Sequence, residues 1–148
     1  MILLSTNHPH LRFPSKDVFR ALKVVYQEEG KRLPALAVIA TNHRFIRSLN
    51  KKFLSHNYST DVLAFPMDGD GGAEGEIYIN LDAARSQAKK YHVTYTQEAR
   101  RLLIHGALHL LGYSDKSSQE KARMNSREDF YLALINRNTR MSSECKNE

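Results

Sequence analysis

The longest stretch of this chain without a formal charge, Leu102 to Ser114, is thirteen residues long. A bilayer span needs roughly 20 apolar residues, so this stretch is a buried helix, and the rest of the chain has to supply the surface that covers it. The length of 148 residues provides one core and not two well-built ones. With 41% hydrophobic and 26% charged residues, disorder is confined to the ends. The opening MILLSTNHPH lacks the basic start and apolar length of a secretory signal. The single cysteine, Cys145, lies in a polar tail and forms no intrachain disulfide. The expectation is a cytoplasmic protein with no membrane partner.

Periodicity divides the chain into strands and helices. Ile2–Leu4 reads as a short strand, and Ser15-Lys16-Asp17 opens a helix with Val18, Leu22, Val25 and Tyr26 on one face, stopped by Gly30. Pro34–Ala40 is an apolar run of strand length. After Thr41-Asn42, the spacing of Phe45, Ile46, Leu49 and Phe53 predicts a second amphipathic helix. A polar loop, Ser55–Thr60, leads into a strand over Asp61–Phe65 that ends at Pro66. Across a glycine-rich loop, Glu76–Asn80 forms an antiparallel partner. A third helix covers Asp82–Tyr91, and Thr94 with Gln97 forms a capping box for a fourth, running to Gly112. Ser117 and Glu120 repeat that signature and open a last helix through about Ile135, with Met124, Phe130, Tyr131 and Leu134 as core contacts. The fold class expected is α+β: a small, mostly parallel four-stranded sheet with one antiparallel edge strand, about five helices and a zincin-like metal helix. Residues 1–135 form a single domain in this reading, and 136–148 a flexible tail.

The net charge of +6 makes an anionic partner plausible, and its distribution says more than its size. Residues 1–60 carry ten basic side chains and three acids, whereas residues 61–148 carry twelve and thirteen. A polyanion would therefore lean on the first part, unless these cations are simply a solvated helix face.

Within the buried helix, His105 and His109 are four residues apart and share a face, so their imidazoles can be aimed at one point. Gly112 lets the chain leave the helix through a left-handed turn, which can return Asp115 to the same point. Two nitrogens and one oxygen leave a coordination position open, as in catalytic rather than structural zinc sites. The competing reading makes the histidines packing residues with satisfied hydrogen bonds.

The segment His105-Gly-Ala-Leu-His109-Leu-Leu-Gly112-Tyr-Ser-Asp115 closely resembles the signature of the YbeY family of ribosomal RNA maturation endoribonucleases, H-G-x-L-H-L-x-G-Y-D-H. Leu49-Asn50-Lys-Lys-Phe53, followed by Ser59-Thr60-Asp61-Val62-Leu63-Ala64-Phe65-Pro66, resembles that family's L-N-x-x-[YF]-R and P-T-D-V-L-S-F-P segments. Gly75-Glu76-Ile77-Tyr78-Ile79 resembles its G-D-I-x-I strand. The resemblance implies a metal-dependent, single-strand-specific endoribonuclease that matures the small-subunit ribosomal RNA end and serves ribosome quality control. Its partners would be single-stranded or ribosomal RNA and the small ribosomal subunit or its associated proteins, with no DNA. It implies one divalent ion, Zn2+, held by His105, His109 and Asp115, and polarising a water or a ribose hydroxyl.

Three departures bear on mechanism. The family's third histidine falls at Asp115, a harder, anionic ligand. The arginine expected after Phe53 is Leu54, which leaves Lys51, Lys52 and Arg44 as candidates to meet the substrate phosphate. The strand aspartate is Glu76, which keeps a carboxylate able to hold water or act as a base, and joins His105 and His109 as a catalytic candidate. Thr60 and Asp61 either line the cleft or cap the loop, and His56 reads as a solvated loop residue. A metallopeptidase is a competing reading, but zincins need glutamate after the first histidine and this chain has Gly106. A non-catalytic RNA- or ribosome-binding protein with a structural metal is the other, favoured by Leu54 and Asp115.

Overall fold

The computed structural model describes residues 1–146, with side chains described as far as Arg137. Four strands, β1 (Ile2–Thr6), β2 (Leu36–Thr41), β3 (Val62–Pro66) and β4 (Gly75–Asn80), form one sheet in the order β1-β2-β4-β3. β1 runs parallel to β2 and β2 parallel to β4, while β3 is the antiparallel edge. Five helices complete the described fold: α1 (Ser15–Glu28), α2 (His43–Leu54), α3 (Leu81–Tyr91), α4 (Tyr95–Leu110) and α5 (Ser118–Lys146). This is the α+β arrangement the sequence predicts. The last helix, however, continues to Lys146, past the end expected near Ile135. Residues 147–148 of the expected tail lie outside the described residues.

Strand alternation gives the sheet two unlike faces. Leu36, Val38 and Ala40 of β2 and Ile77 and Ile79 of β4 are buried in the core with residues from α1, α3, α4 and α5. On the opposite face, Phe45 of α2 stacks on Tyr78 with ring centroids 6.1 Å apart, and Phe53 of α2 meets Phe65 of β3 at 6.0 Å. The stripe of apolar residues on α2 thus exists as read, but it covers the far side of the sheet, and Phe53 remains 59% exposed. Phe130 corrects an expected core contact. It is 45% exposed, lying edge-on to Tyr131 and beneath the Arg127 guanidinium.

The buried helix α4 is started by Thr94, whose side chain accepts from the Gln97 amide while the Gln97 side chain accepts from the Thr94 amide. Its middle approaches the sheet so closely that a Cβ at Gly106 would stand 2.7 Å from Ile77 Cγ2 and 3.3 Å from Val62 Cγ2. Only glycine permits this contact, which places the ring-bearing turns of α4 against β3 and β4.

Candidate metal centre

The end of α4 builds the site. Gly112 adopts φ +102°, and the amides of Gly112 and Tyr113 donate to the His109 and Leu108 carbonyls at 3.0 Å each. This pair of bonds is a Schellman closure, which satisfies the last helical carbonyls and reverses the chain. The reversal brings Asp115 back over the helix. His105 Nε2 and His109 Nε2 lie 3.1 Å apart, and Asp115 Oδ2 lies 3.5 and 3.4 Å from them. Tetrahedral ligands at the 2.0–2.1 Å bond lengths of zinc stand about 3.3–3.4 Å from one another, so the three donor separations fit one small divalent ion. His105, His109 and Asp115 are the group of metal-capable side chains that comes together among the described residues.

Glu128 completes the geometry from behind. Its Oε2 lies 2.7 Å from His105 Nδ1, which fixes the ring with Nε2 toward the cluster. Glu128 is 3% exposed and is itself held by Arg101 at 3.3 Å, which also pairs with Asp129 at 2.9 Å. Burial alone would lower the His105 pKa, but the hydrogen bond and charge of Glu128, with the charges of Asp61 and Asp115, raise it above the ordinary value. Glu98, two turns earlier on α4, moves upward as well, mainly through burial. The Arg101 charge opposes that rise, and those of Asp61 and Glu128 add to it. The reading of the sequence missed Glu128. The available signal was an acid on the apolar stripe of α5, between Met124 and Tyr131, both fully buried.

A second cluster holds the loop that carries Asp115. Tyr113 donates to Glu29 Oε1 at 2.8 Å, while Arg127, at 2.7 Å, and the Tyr131 hydroxyl both donate to Glu29 Oε2. Burial would raise the Glu29 pKa, but hydrogen bonds from Tyr131, Arg127 and Tyr113 outweigh it and hold the carboxyl below its ordinary value.

Glu76 is not brought to this centre. It precedes Ile77, whose side chain touches α4, so alternation turns Glu76 to the α2 face, where the Tyr78 hydroxyl donates to it at 3.3 Å. Asp61 instead supplies a carboxylate on the α4 side, close enough for its charge to act on His105 and Glu98. Asp61 and Thr60 line a cavity of about 340 Å³ with His43, Ser59, Asn80 and Gln87. Arg44, in the first turn of α2, lines a neighbouring cleft, whereas Lys51 and Lys52 sit in the last turn, outside that lining. His56 is exposed, as expected of a loop histidine, with its ring 5.2 Å from that of Tyr58. No helix among the described residues is long and apolar enough to cross a membrane.

Comparison with known proteins places this geometry in context. A family model described as Endoribonuclease YbeY matches residues 9–136. The chain is 40% identical over 111 residues to the Endoribonuclease YbeY of Chlorobaculum tepidum, covering 75% of this chain and 81% of that one. It is 34% identical over 135 residues to that of Chlorobium chlorochromatii, covering 91% and 86%. The solution structure of TM1509 from Thermotoga maritima superposes with a TM-score of 0.64 at 27% identity, over 96% of this chain and 93% of that one. With the motifs and three of the four strands lying inside the matched residues, the chain belongs to the YbeY family.

Proposed function

We propose that this protein is a metal-dependent, single-strand-specific endoribonuclease of the cytoplasm. In this reading it matures ribosomal RNA at the small-subunit RNA end, serves ribosome quality control, and works with the small ribosomal subunit or its associated proteins. The observation that carries the reading is the convergence of His105, His109 and Asp115 at donor separations of 3.1 to 3.5 Å in a partly exposed position. These three residues would hold one zinc ion, and the catalytic unit would be residues 1–135. When bound, such an ion neutralises phosphate charge and acidifies a water or a ribose hydroxyl. Glu128 keeps the His105 Nδ1 proton and so presents Nε2 as a ligand. Asp61, on the α4 side of the sheet, takes the carboxylate role that the sequence suggested for Glu76. Arg44 meets substrate phosphate in place of the arginine replaced by Leu54.

Gly106 argues against a peptidase, because a glutamate there would have to occupy the space of Ile77. Leu54 favours a second reading, a protein that binds ribosomal RNA without cutting it. Incubation of the purified protein with labelled single-stranded RNA separates the two. Metal-dependent cleavage, lost in EDTA and in His109→Ala, is expected. Binding without cleavage at any divalent metal supports the second reading, and cleavage that survives both treatments rejects the proposed site.

A further inference from the structure

Helix α2 carries Arg44, Arg47, Lys51 and Lys52 and no acid. Its first turn holds no acid of its own, and the carboxylate at its N-terminus is that of Asp82 on α3, which accepts from the His43 amide at 3.2 Å. Beside that turn opens a cleft of about 520 Å³ lined by His43, Arg44, Arg47, Asn57, Tyr58 and Ser59. Its walls are held in place. Arg47 Nε donates to Asn57 Oδ1 at 3.2 Å, which orients the guanidinium and leaves its two terminal nitrogens for another acceptor. The loop is tied down by Asn50, which donates to the Tyr58 carbonyl at 2.9 Å, and by Asn80, which donates to the Thr60 carbonyl at 3.0 Å. Tyr58 is nevertheless 56% exposed at the rim, with the His56 ring on one side of its own. A large aromatic ring on a pinned loop beside the oriented Arg47 guanidinium suits an unpaired base over a phosphate.

His43 and Ser59 also line the neighbouring cavity that ends at Asp61, whose charge reaches His105. The two cavities therefore adjoin through His43 and Ser59. We infer that the Arg44–Arg47–Tyr58 cleft is a nucleotide subsite for the RNA strand outside the scissile position: Tyr58 stacks on a base, and the two arginines bind its phosphates. The inference rests on the endoribonuclease reading and adds to it a physical basis for single-strand selection. A base can reach the Tyr58 ring only when it is free of a duplex.

The test is fluorescence anisotropy with a labelled 12-nucleotide single strand and a 12-base-pair RNA duplex, in EDTA so that no cleavage intervenes, across a salt series. Base–aromatic stacking of about 1–3 kcal/mol corresponds to a loss of about 5- to 150-fold for Tyr58→Ala on the single strand. Tyr58→Phe should bind within about twofold of wild type, and the salt dependence of Tyr58→Ala should match that of wild type. Arg47→Ala should weaken binding for all sequences and lower the salt slope by about one. Lys89→Ala, on α3 and outside the cleft, is the surface-charge control. Wild-type binding unchanged in both Tyr58→Ala and Arg47→Ala, with RNA cleavage intact, overturns the subsite alone. An equal loss on single strand and duplex overturns the stacking role. Absence of any RNA binding by the wild type in EDTA, with neither binding nor cleavage when Zn2+ is restored, rejects the subsite and the endoribonuclease reading together.

Discussion

The two faces of the sheet obey different rules. On the α4 side, Val38, Ala40, Ile77 and Ile79 are fully buried, a helix packs at glycine contact distance, and His105 of the metal centre is fixed by Glu128. On the α2 side, Leu3 is 61% exposed, and Phe45, Phe65 and Tyr78 form a partial aromatic layer under a helix whose outer surface is basic. The first face supplies rigidity to a site that needs donors placed to a fraction of an ångström. The second leaves charge and ring surface open, as contact with a long flexible polyanion requires. If this division is correct, perturbing the α4 side should change metal affinity and stability, and perturbing the α2 face should change neither.

The largest effect within that comparison should come from Glu128. Its carboxylate reaches no metal-facing atom, yet it sets the His105 ring. Glu128→Gln is expected to lower zinc affinity by about 10- to 100-fold in a competition titration. Unchanged affinity would mean that packing alone orients His105.

Glu29 comes next, with an effect on stability of about 1.5–3 kcal/mol, as for hydrogen bonds to charged groups. Because the folded-state pKa of Glu29 is lowered, its contribution is fully present above the ordinary value of about 4.5 and is lost as pH falls through the lower folded value. Glu29→Gln should therefore show a flatter stability profile than wild type on the acid side in urea titrations below about pH 5. Parallel profiles would remove Glu29 from the acid transition. The variant also leaves one acceptor oxygen for the three donors Tyr113, Arg127 and Tyr131, so the loop bearing Asp115 should exchange its amide hydrogens faster.

Gly106→Ala follows. Alanine gains up to about 1 kcal/mol of helix propensity, but its methyl meets Ile77 Cγ2 at 2.7 Å in a fully buried position. Overpacking of about 1–3 kcal/mol outweighs the gain, so a net loss of about 0.5–2 kcal/mol is expected from chemical denaturation. A stabilised variant would show that α4 can lift from the sheet without strain.

The same contrast explains what was legible in the sequence. The inner face produced strong local signals: apolar runs of strand length, the Thr94 and Gln97 capping box, the paired histidines and the glycine that turns the chain back to Asp115. The Schellman turn made the three-ligand cluster readable because all its members lie within eleven residues. Glu128 was hidden because its partner is 23 positions away, and only the packing of α5 on α4 joins them. Phe45 and Phe53 carried the right period but no indication of which side of the sheet they would cover. Phe130 differs again. It adjoins the buried Tyr131 but faces solvent, because its neighbour already fills the inward direction.

Glu76 provides the sharpest and smallest test. In the sequence it aligns with a family aspartate and sits between residues of a core strand, which made it a catalytic candidate, a carboxylate to hold water or act as a base beside the metal. In the sheet, Glu76 pairs in register with Phe65 and Ala37, and Ile77 with Ala64 and Val38, so the two neighbours on β4 point to opposite layers. The sheet itself then lies between the Glu76 carboxylate and the ligands on α4. Its recorded partner is the Tyr78 hydroxyl at 3.3 Å, and its charge contributes to raising the Tyr78 pKa, after burial. Glu76→Gln should therefore leave zinc affinity within about twofold of wild type, since it removes neither a ligand nor the partner of one. It should instead lower the Tyr78 pKa, because the hydroxyl loses a neighbouring negative charge, and absorbance titration of tyrosine in the folded protein reads that change. A tenfold loss of zinc affinity with Tyr78 unmoved would place Glu76 in the metal centre and undo the two-faced assignment of the sheet.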